Sequence, residues 1–508
     1  MLNGPVPGED GKPLPSSQRR ALHSRYNPVV EAERYVHSLS LRQETQFFIL
    51  IEPGLGYIIP FLQKQCPQAQ IIVLHVRQGS PAAPQSMPAV CTWCPETGIP
   101  LSHFLEQTIP DTEADALQII EWRPALAVYG AEYLQLLTET VEFIKRIDAN
   151  KRTIRAFGRR WFRNFFKNIG ILHRIYTARA GCLGSLPLIV TGAGPSLEET
   201  LPLMREVRNH RPLPILAAAS SVPALLTGGI VPDFVITTDG GGWARLHLYD
   251  CLRSKPPFGL AASLIAALPS QCAEVPILVI SDGSYWQNLV LQGLAIPGIN
   301  LLQRGTVTAQ ALDLAFVLTS GPIYITGMDL ANQDIRTHAR PYSFERLLEE
   351  KATRFNPVYS QSFVRSRAIE AGGSHRIYAS WFKERLEAYP RPIVSLGANN
   401  PVFKDLTRPL ESLGLAVSGK PDARSPELGK PLTFQAPDNP IKIGMNLLLA
   451  ALSMPHTGAR VQAELFPLLC TDTDPAAHQK EGSGTTKLED IIHALIEPEY
   501  QHQEQRCG

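Results

Sequence analysis

Four stretches place chemistry-bearing residues directly after apolar runs. Gly192-Ala193-Gly194-Pro195-Ser196-Leu197 follows Leu188–Thr191, and Asp239-Gly240 follows Phe234–Thr238. Asp329 follows Pro322–Thr326, and Asn399 follows Ile393–Leu396. In the first stretch a strand, a glycine turn and a helix mouth would offer backbone N–H groups to an anion, and the glycines let the main chain come close to a ligand. Ser196 is an N-cap type, and Glu199 three residues on completes a capping box. The same pattern also describes a tight βα turn that binds nothing. Carboxylates at Asp239 and Asp329 suit a metal, a ribose or a sugar hydroxyl, and equally a turn cap.

These residues need a scaffold that brings strand ends together. Leu188–Thr191, Pro214–Ala219, Phe234–Thr238, Gly259–Ala262, Pro276–Ile280, Pro322–Thr326 and Ile393–Leu396 read as buried strands, with helices at Ser196–Met204, Ser220–Thr227 and Ala309–Leu318 between them. The alternation predicts an α/β fold: a Rossmann-like central domain with a mostly parallel sheet and helices on both faces. Ligands bind outside the carboxyl ends of such strands, where Gly192, Asp239, Asp329 and Asn399 all fall.

A smaller Rossmann-like domain is expected before it. Phe47–Ile51, the turn Glu52–Tyr57, Ile58–Gln65 and Ile71–Val76 make one βαβ unit, after a helix at Pro28–Ser38. The unit lacks a full GxGxxG, and His75 and Arg77 end its second strand where a dinucleotide fold would carry an acid, so packing or assembly is its expected role. Pro81–Pro100 reads as loop, Ala125–Val128 as a further strand and Tyr133–Asp148 as a helix. Lys151–Arg179 holds nine Lys/Arg and no acid, with Phe157, Trp161, Phe162, Phe165 and Phe166 at near-helical spacing. It predicts a basic amphipathic helix or helix pair joining two domains, with its cations in solvent, at a membrane surface, or beside an anionic nucleotide. The expected division is a disordered tail over 1–20, the N-terminal domain over 21–150, the basic linker over 151–180, the central domain over 181–405 and a mostly helical C-terminal region over 406–508. In that last region Ile441–Ser453 and Leu488–Ile496 read as helices, while Asp422–Pro440 and Thr471–Thr486 read as linker and flexible chain.

Composition limits the partners. The 508 residues carry a formal net charge of +1, which does not point to nucleic acid. The N-terminus has no apolar signal segment, and no run of about eighteen apolar residues is free of charge. A soluble cytoplasmic protein is the expectation. Cys91-Thr-Trp-Cys94 lacks a second ligand pair nearby and runs straight into Pro95, so neither a zinc site nor a thioredoxin motif is expected.

Taken in order, GAGPSLEETLPLM, GIVPDFVITTDG and GMDLANQDIRTHA resemble the motility accessory factor (Maf) proteins, which share a central domain with MptE-like 6-hydroxymethylpterin diphosphokinases. HSRYNPVVEAERY and EPGLGYIIPFL look like the Maf N-terminal domain, and RRWFRNFFKN looks like the basic segment before the Maf core, so the resemblance covers about residues 21–400. It implies a glycosyltransferase that moves a nonulosonic (sialic-acid-like) sugar from a CMP-sugar to Ser or Thr of flagellin. The core is also similar to bacterial sialyltransferases with a Gly-Asn-Gly-Pro-Ser-Leu motif; Ala193 stands where that Asn would be, which would leave the nucleotide to backbone amides.

On this resemblance the donor would be held by Gly192, Ala193, Gly194, Pro195, Ser196, Leu197, Asp239, Gly240 and Asn399. The acceptor hydroxyl needs a base. His338 resembles the Maf Thr-His, and His375 lies where the related sialyltransferases keep a catalytic His; Asp329 joins them as a catalytic candidate. Asp239 and Asp329 would be the ligands if the reaction uses Mg²⁺, and Arg304 and Arg340 are candidate phosphate partners. Flagellin is the expected protein partner, and oligomerisation stays open. Two other readings remain: an ATP- and Mg²⁺-dependent pterin diphosphokinase, and a flagellin-binding assembly factor without catalysis.

Overall fold

The computed structural model describes residues 21–42, 44–77, 90–109, 116–177, 181–210, 213–256, 259–372, 374–386, 389, 391, 393–397, 402–403, 431–435, 437–470 and 484–507. The expected tail, Asn399, most of Asp422–Pro440 and nearly all of Thr471–Thr486 lie outside them. The chain packs as two units, Met1–Ile154 and Arg155–Gly508.

The first unit runs α1 (Pro28–Ser38), β1 (Phe47–Ile51), α2 (Ile59–Gln65), β2 (Gln70–Leu74), β3 (Val90–Trp93), α3 (Leu101–Thr108), β4 (Leu117–Glu121) and α4 (Arg123–Tyr129). Its four strands are parallel in the order β3-β2-β1-β4. Two expectations fail here. Ala125–Val128 is helical, because Pro124 stands in the first turn of α4 and Gly130, at φ 53°, ends it; the strand is the preceding apolar run at Leu117–Glu121. Val90–Trp93, inside the stretch read as loop, pairs with β2. The strand-end Glu52 is buried, and its carboxylate accepts from the Val76 amide at 2.8 Å and meets His75 Nδ1 at 3.3 Å. The unit's own carboxylate thus closes that strand end.

One continuous helix, α5 (Ala131–Ile169), follows, so the basic stretch up to Ile169 is a single helix and not a helix pair. Its last turns belong to the second unit, and Phe162, Phe165, Phe166 and Ile169 are fully buried there. Each such burial is worth roughly 1.5–3 kcal/mol, so the aromatic face of the basic stretch is core.

The second unit continues with β5 (Arg174–Ile175), β6 (Leu188–Thr191), α6 (Ser196–His210), β7 (Ile215–Ala218), α7 (Val222–Thr227), β8 (Phe234–Thr237), α8 (Arg245–Ser254), β9 (Leu260–Ser263), β10 (Ile277–Ser281), α9 (Tyr285–Gly293), β11 (Ile299–Asn300), α10 (Val307–Leu318) and β12 (Ile323–Thr326). Then come α11 (Glu345–Glu350), α12 (Val358–Gly372), α13 (Ser374–Leu386), β13 (Ile393–Ser395), β14 (Leu432–Thr433), α14 (Pro440–Leu452), α15 (Pro455–Leu469) and α16 (Gly484–Cys507). The sheet order is β13-β12-β6-β7-β8-β9-β10-β5-β14 with β11 beside β10, parallel except for β14 against β5. All seven strands read from the central sequence are present. Their residues alternate between two buried faces: Ile189 packs with Phe162 and Leu197, whereas Leu188 and Val190 pack with Leu312 and Ala315 of α10. A sheet covered on both sides is why these strands read as continuous apolar runs.

The strand order reverses between β6 and β12, so the crevice of this sheet lies between Gly192 and Gly327. The C-terminal helices join the core of the sheet: Met445, Leu448, Val461, Leu465, Leu488, Ile492 and Ile496 share one buried cluster with Val290 and Leu294 of α9.

Candidate functional site

The crevice is closed from within. The Gly192 amide donates to the Thr326 carbonyl at 2.8 Å and the Gly194 amide to the Gly327 carbonyl at 2.7 Å. The Ser196 amide donates to Asp329 Oδ2 at 2.7 Å and the Leu197 amide to the Gly194 carbonyl at 3.0 Å. A Cβ on Gly192 would lie 2.3 Å from the Gly327 oxygen, and one on Gly327, at φ 66°, would lie 2.3 Å from the Gly192 oxygen. A Cβ on Gly194 would lie 2.6 Å from Asp329 Oδ2. These glycines permit two strand ends to touch each other. The expectation of amides held ready for a phosphate therefore meets amides already spent on the protein's own oxygens. Ser196 is the first residue of α6 and its hydroxyl reaches the Gly397 carbonyl at 3.4 Å, so the expected capping role passes to Asp329. The Asp329 carboxyl is buried and burial pushes its pKa up, while the Ser196 N–H works in the opposite direction.

The chain after Asp329 returns across this clasp. The Ala339 amide donates to the Ala193 carbonyl at 2.7 Å. Glu198, in the first turn of α6, accepts from the Arg340 amide at 2.8 Å and from Arg336 Nη1 at 3.3 Å. Asn332 Nδ2 reaches the Ser366 carbonyl on α12 at 3.0 Å. This tethering sets His338 beside the glycine turn. Its Nδ1 lies 2.8 Å from Thr337 Oγ1, and its ring is nearly parallel to Tyr342 at 5.5 Å. Burial, then the charges of Arg365, His247 and His375, push His338 down to about 4.

His247 is likewise pushed down to about 4 by burial, with Asp239 acting to raise it and Arg365 to lower it. Its Nδ1 sits 3.1 Å from Ser343 Oγ and its ring meets Phe344 edge-on at 4.9 Å. His375 is lowered by burial against the pull of Glu370. Tyr378, one turn further along α13, is raised by burial and by Asp239. Three imidazoles, the Tyr378 phenol, Asp239 and Arg365 thus share one electrostatic neighbourhood. Sequence reading had named His338, His375 and Asp239. It missed His247, Tyr378 and Arg365, which stand on α8, α13 and α12 with no strand-end signature.

Other candidates are placed differently. Asp239 is exposed and its Oδ1 accepts the Gly241 amide at 2.7 Å, a turn-capping bond. Gly240 packs against Trp161, where a Cβ would lie 2.1 Å from Cδ1. Asn164 Nδ2 reaches the Ile265 carbonyl at 2.9 Å, and Asn168 Nδ2 reaches those of Leu264 and Ala266 at 2.7 and 2.8 Å. The end of α5 thus holds the loops after β8 and β9, a role its basic and aromatic pattern did not reveal. Arg304 pairs with Asp313 at 2.9 Å and Arg340 pairs with Glu345, so both expected phosphate partners are engaged by carboxylates. Among the described residues no three His, Cys, Asp or Glu are grouped to hold a metal, and Asp239 and Asp329 each spend an oxygen on a backbone amide. These residues do not fit the expected Mg²⁺ site.

A cleft of about 280 Å³ is lined by Arg336, Thr337, His338, Tyr342, Glu345 and Arg365 among others.

Residues 159–334 match the family described as 6-hydroxymethylpterin diphosphokinase MptE-like, in agreement with the resemblance carried by the motifs. Two uncharacterized proteins of Treponema pallidum (strain Nichols) are similar, one at 28% identity over 56% of this chain and 61% of its own length, the other at 30% over 23% of this chain and 55% of its own. The matches thus span less than two thirds of either relative. The solved structure of a MAf glycosyltransferase from Magnetospirillum magneticum AMB-1 aligns over 98% of this chain and 86% of its own, at 14% identity and a TM-score of 0.47. No described helix is long and apolar enough to cross a membrane.

Proposed function

We propose that this chain is a glycosyltransferase of the Maf type, transferring a nonulosonic sugar from a CMP-sugar to Ser or Thr of flagellin in the cytoplasm. The observation that carries the reading is that His338 and Arg365 line one cleft beside the crevice where the strand order reverses, with His375 near enough for its charge to act on His338. In the tautomer that donates Nδ1–H to Thr337, His338 Nε2 carries the lone pair a base requires. The acceptor oxygen attacks the anomeric carbon as its proton passes to an imidazole. The bond from that carbon to the phosphate oxygen breaks, and CMP leaves with the electron pair. A cation at the departing charge lowers the barrier, because charge grows there in the transition state.

The test is direct. Incubation with a CMP-nonulosonate and unmodified flagellin should release CMP and add the sugar mass to Ser or Thr. His338→Ala should slow turnover by roughly 10²–10⁴-fold if it is the base, and His375→Ala should do so if that role is its own. Failure to release CMP from any CMP-nonulosonate sinks the reading. The matched family's description motivates one second assay, AMP formation from ATP and 6-hydroxymethylpterin; activity there would replace the transferase reading.

A further inference from the structure

The clasp between β6 and β12 raises a question of charge. A CMP-nonulosonate brings a phosphate and a carboxylate, yet the Ser196 amide at the N-terminus of α6 already serves the Asp329 carboxylate. An anion must find its counter-charge elsewhere.

The cleft beside His338 presents three guanidinium groups. Arg336 is paired with Glu198 at 3.3 Å, and Arg340 with Glu345. Arg365 differs: it makes no ion pair among the described residues. Its guanidinium lies 5.4 Å from the Tyr342 ring centroid and 5.3 Å from that of Phe344. Aromatic faces hold a guanidinium by its plane and leave its N–H edge, a two-pronged donor, for a partner in that plane. The helix directs it. Val358, Ser362 and Arg365 of α12 recur at helical spacing and all line the cleft. The cleft's one carboxylate, Glu345, already takes Arg340 and the Tyr342 amide at 3.2 Å.

We infer that Arg365 is the anion receptor of this cleft and takes two oxygens of one donor group, phosphate or carboxylate, in bidentate fashion. The inference rests on the transferase reading for the identity of the donor. It makes Arg365 a binding residue with a second consequence: an anion seated there offsets the charge that disfavours protonation of His338, so donor binding strengthens the base.

Calorimetric titration of the full chain tests it, with CMP for the phosphate, N-acetylneuraminate for the carboxylate and inorganic phosphate as a donor-independent probe. Arg365→Gln should weaken the probe whose anion it holds by at least tenfold, and Arg365→Lys should weaken it less. Arg367→Gln, on the exposed side of the same helix, should leave all three unchanged, and thermal melts without ligand should show that each variant is folded. If CMP and N-acetylneuraminate bind Arg365→Gln within twofold of the wild-type affinity, the inference is overturned and the transferase reading stands. If neither binds the wild type while inorganic phosphate binds and depends on Arg365, the transferase reading falls and the anion receptor stands. If none of the three binds the wild type, the inference is overturned.

Discussion

His338 and His247 are imidazoles that the fold keeps uncharged. Both are pushed to about 4 from an ordinary 6.5, chiefly by burial. A folded pKa below the unfolded one means that unfolding takes up protons between those values. The stability this contributes is present above pH 6.5 and is lost as pH falls toward 4. Asp233, Asp282 and Asp329 are raised by burial and act in the opposite sense, so the wild-type profile is a sum. The decisive comparison is therefore with His338→Gln: its Tm should fall less steeply than wild type between pH 6.5 and 4.5, and an unchanged slope would remove the buried-imidazole account. At this scale the sequence was legible where residue and strand end coincide. Asp239 and Asp329 could be found because apolar runs point at them. Arg365, His247 and Tyr378 could not, since they reach the site from helices whose packing no local pattern encodes. The glycines were found for a reason that the geometry revises, because spacing alone does not distinguish a turn that approaches a ligand from one that approaches another turn.

Among elements, the stretch from Gly327 to Tyr342 decides the site. It leaves β12 through a left-handed glycine, sets a carboxylate on the mouth of α6 and returns over the turn after β6. Gly327→Ala combines a disfavoured φ with a 2.3 Å clash against backbone and should cost about 2–4 kcal/mol. Urea unfolding should show the loss as a lower midpoint at unchanged m. Glu198→Gln tests the tether more gently. Losing the carboxylate that holds the Arg336 guanidinium and the Arg340 amide should raise KM for the donor while global stability changes by under about 1 kcal/mol. A large fall in Tm instead would assign Glu198 to the core framework. The parallel sheet itself was readable because both of its faces are buried. Ala125–Val128 was misread because the apolar run Leu117–Glu121 lies just before it and Pro124 with Gly130 frames a helix.

For the whole molecule, the C-terminal helices are core. Glu464 on α15 accepts the Tyr285 and Trp286 amides at 3.0 Å each, supplying the cap at the start of α9 that the side chain of the N-cap residue Ser284 does not make. Glu464→Ala should cost about 1 kcal/mol, as loss of an N-cap does, and a null effect would mean that solvent serves those amides equally well. This long-range dependence was hidden in the sequence, where residues 406–508 read only as a mostly helical region with flexible segments. It also gives synthesis an order. Contacts of the first unit are complete once residue 154 has emerged, whereas the sheet that begins with β5 waits for Ile496 to close its core. At about 5–20 residues per second that interval is roughly 15–60 s, during which the nascent sheet keeps an apolar face open to chaperones.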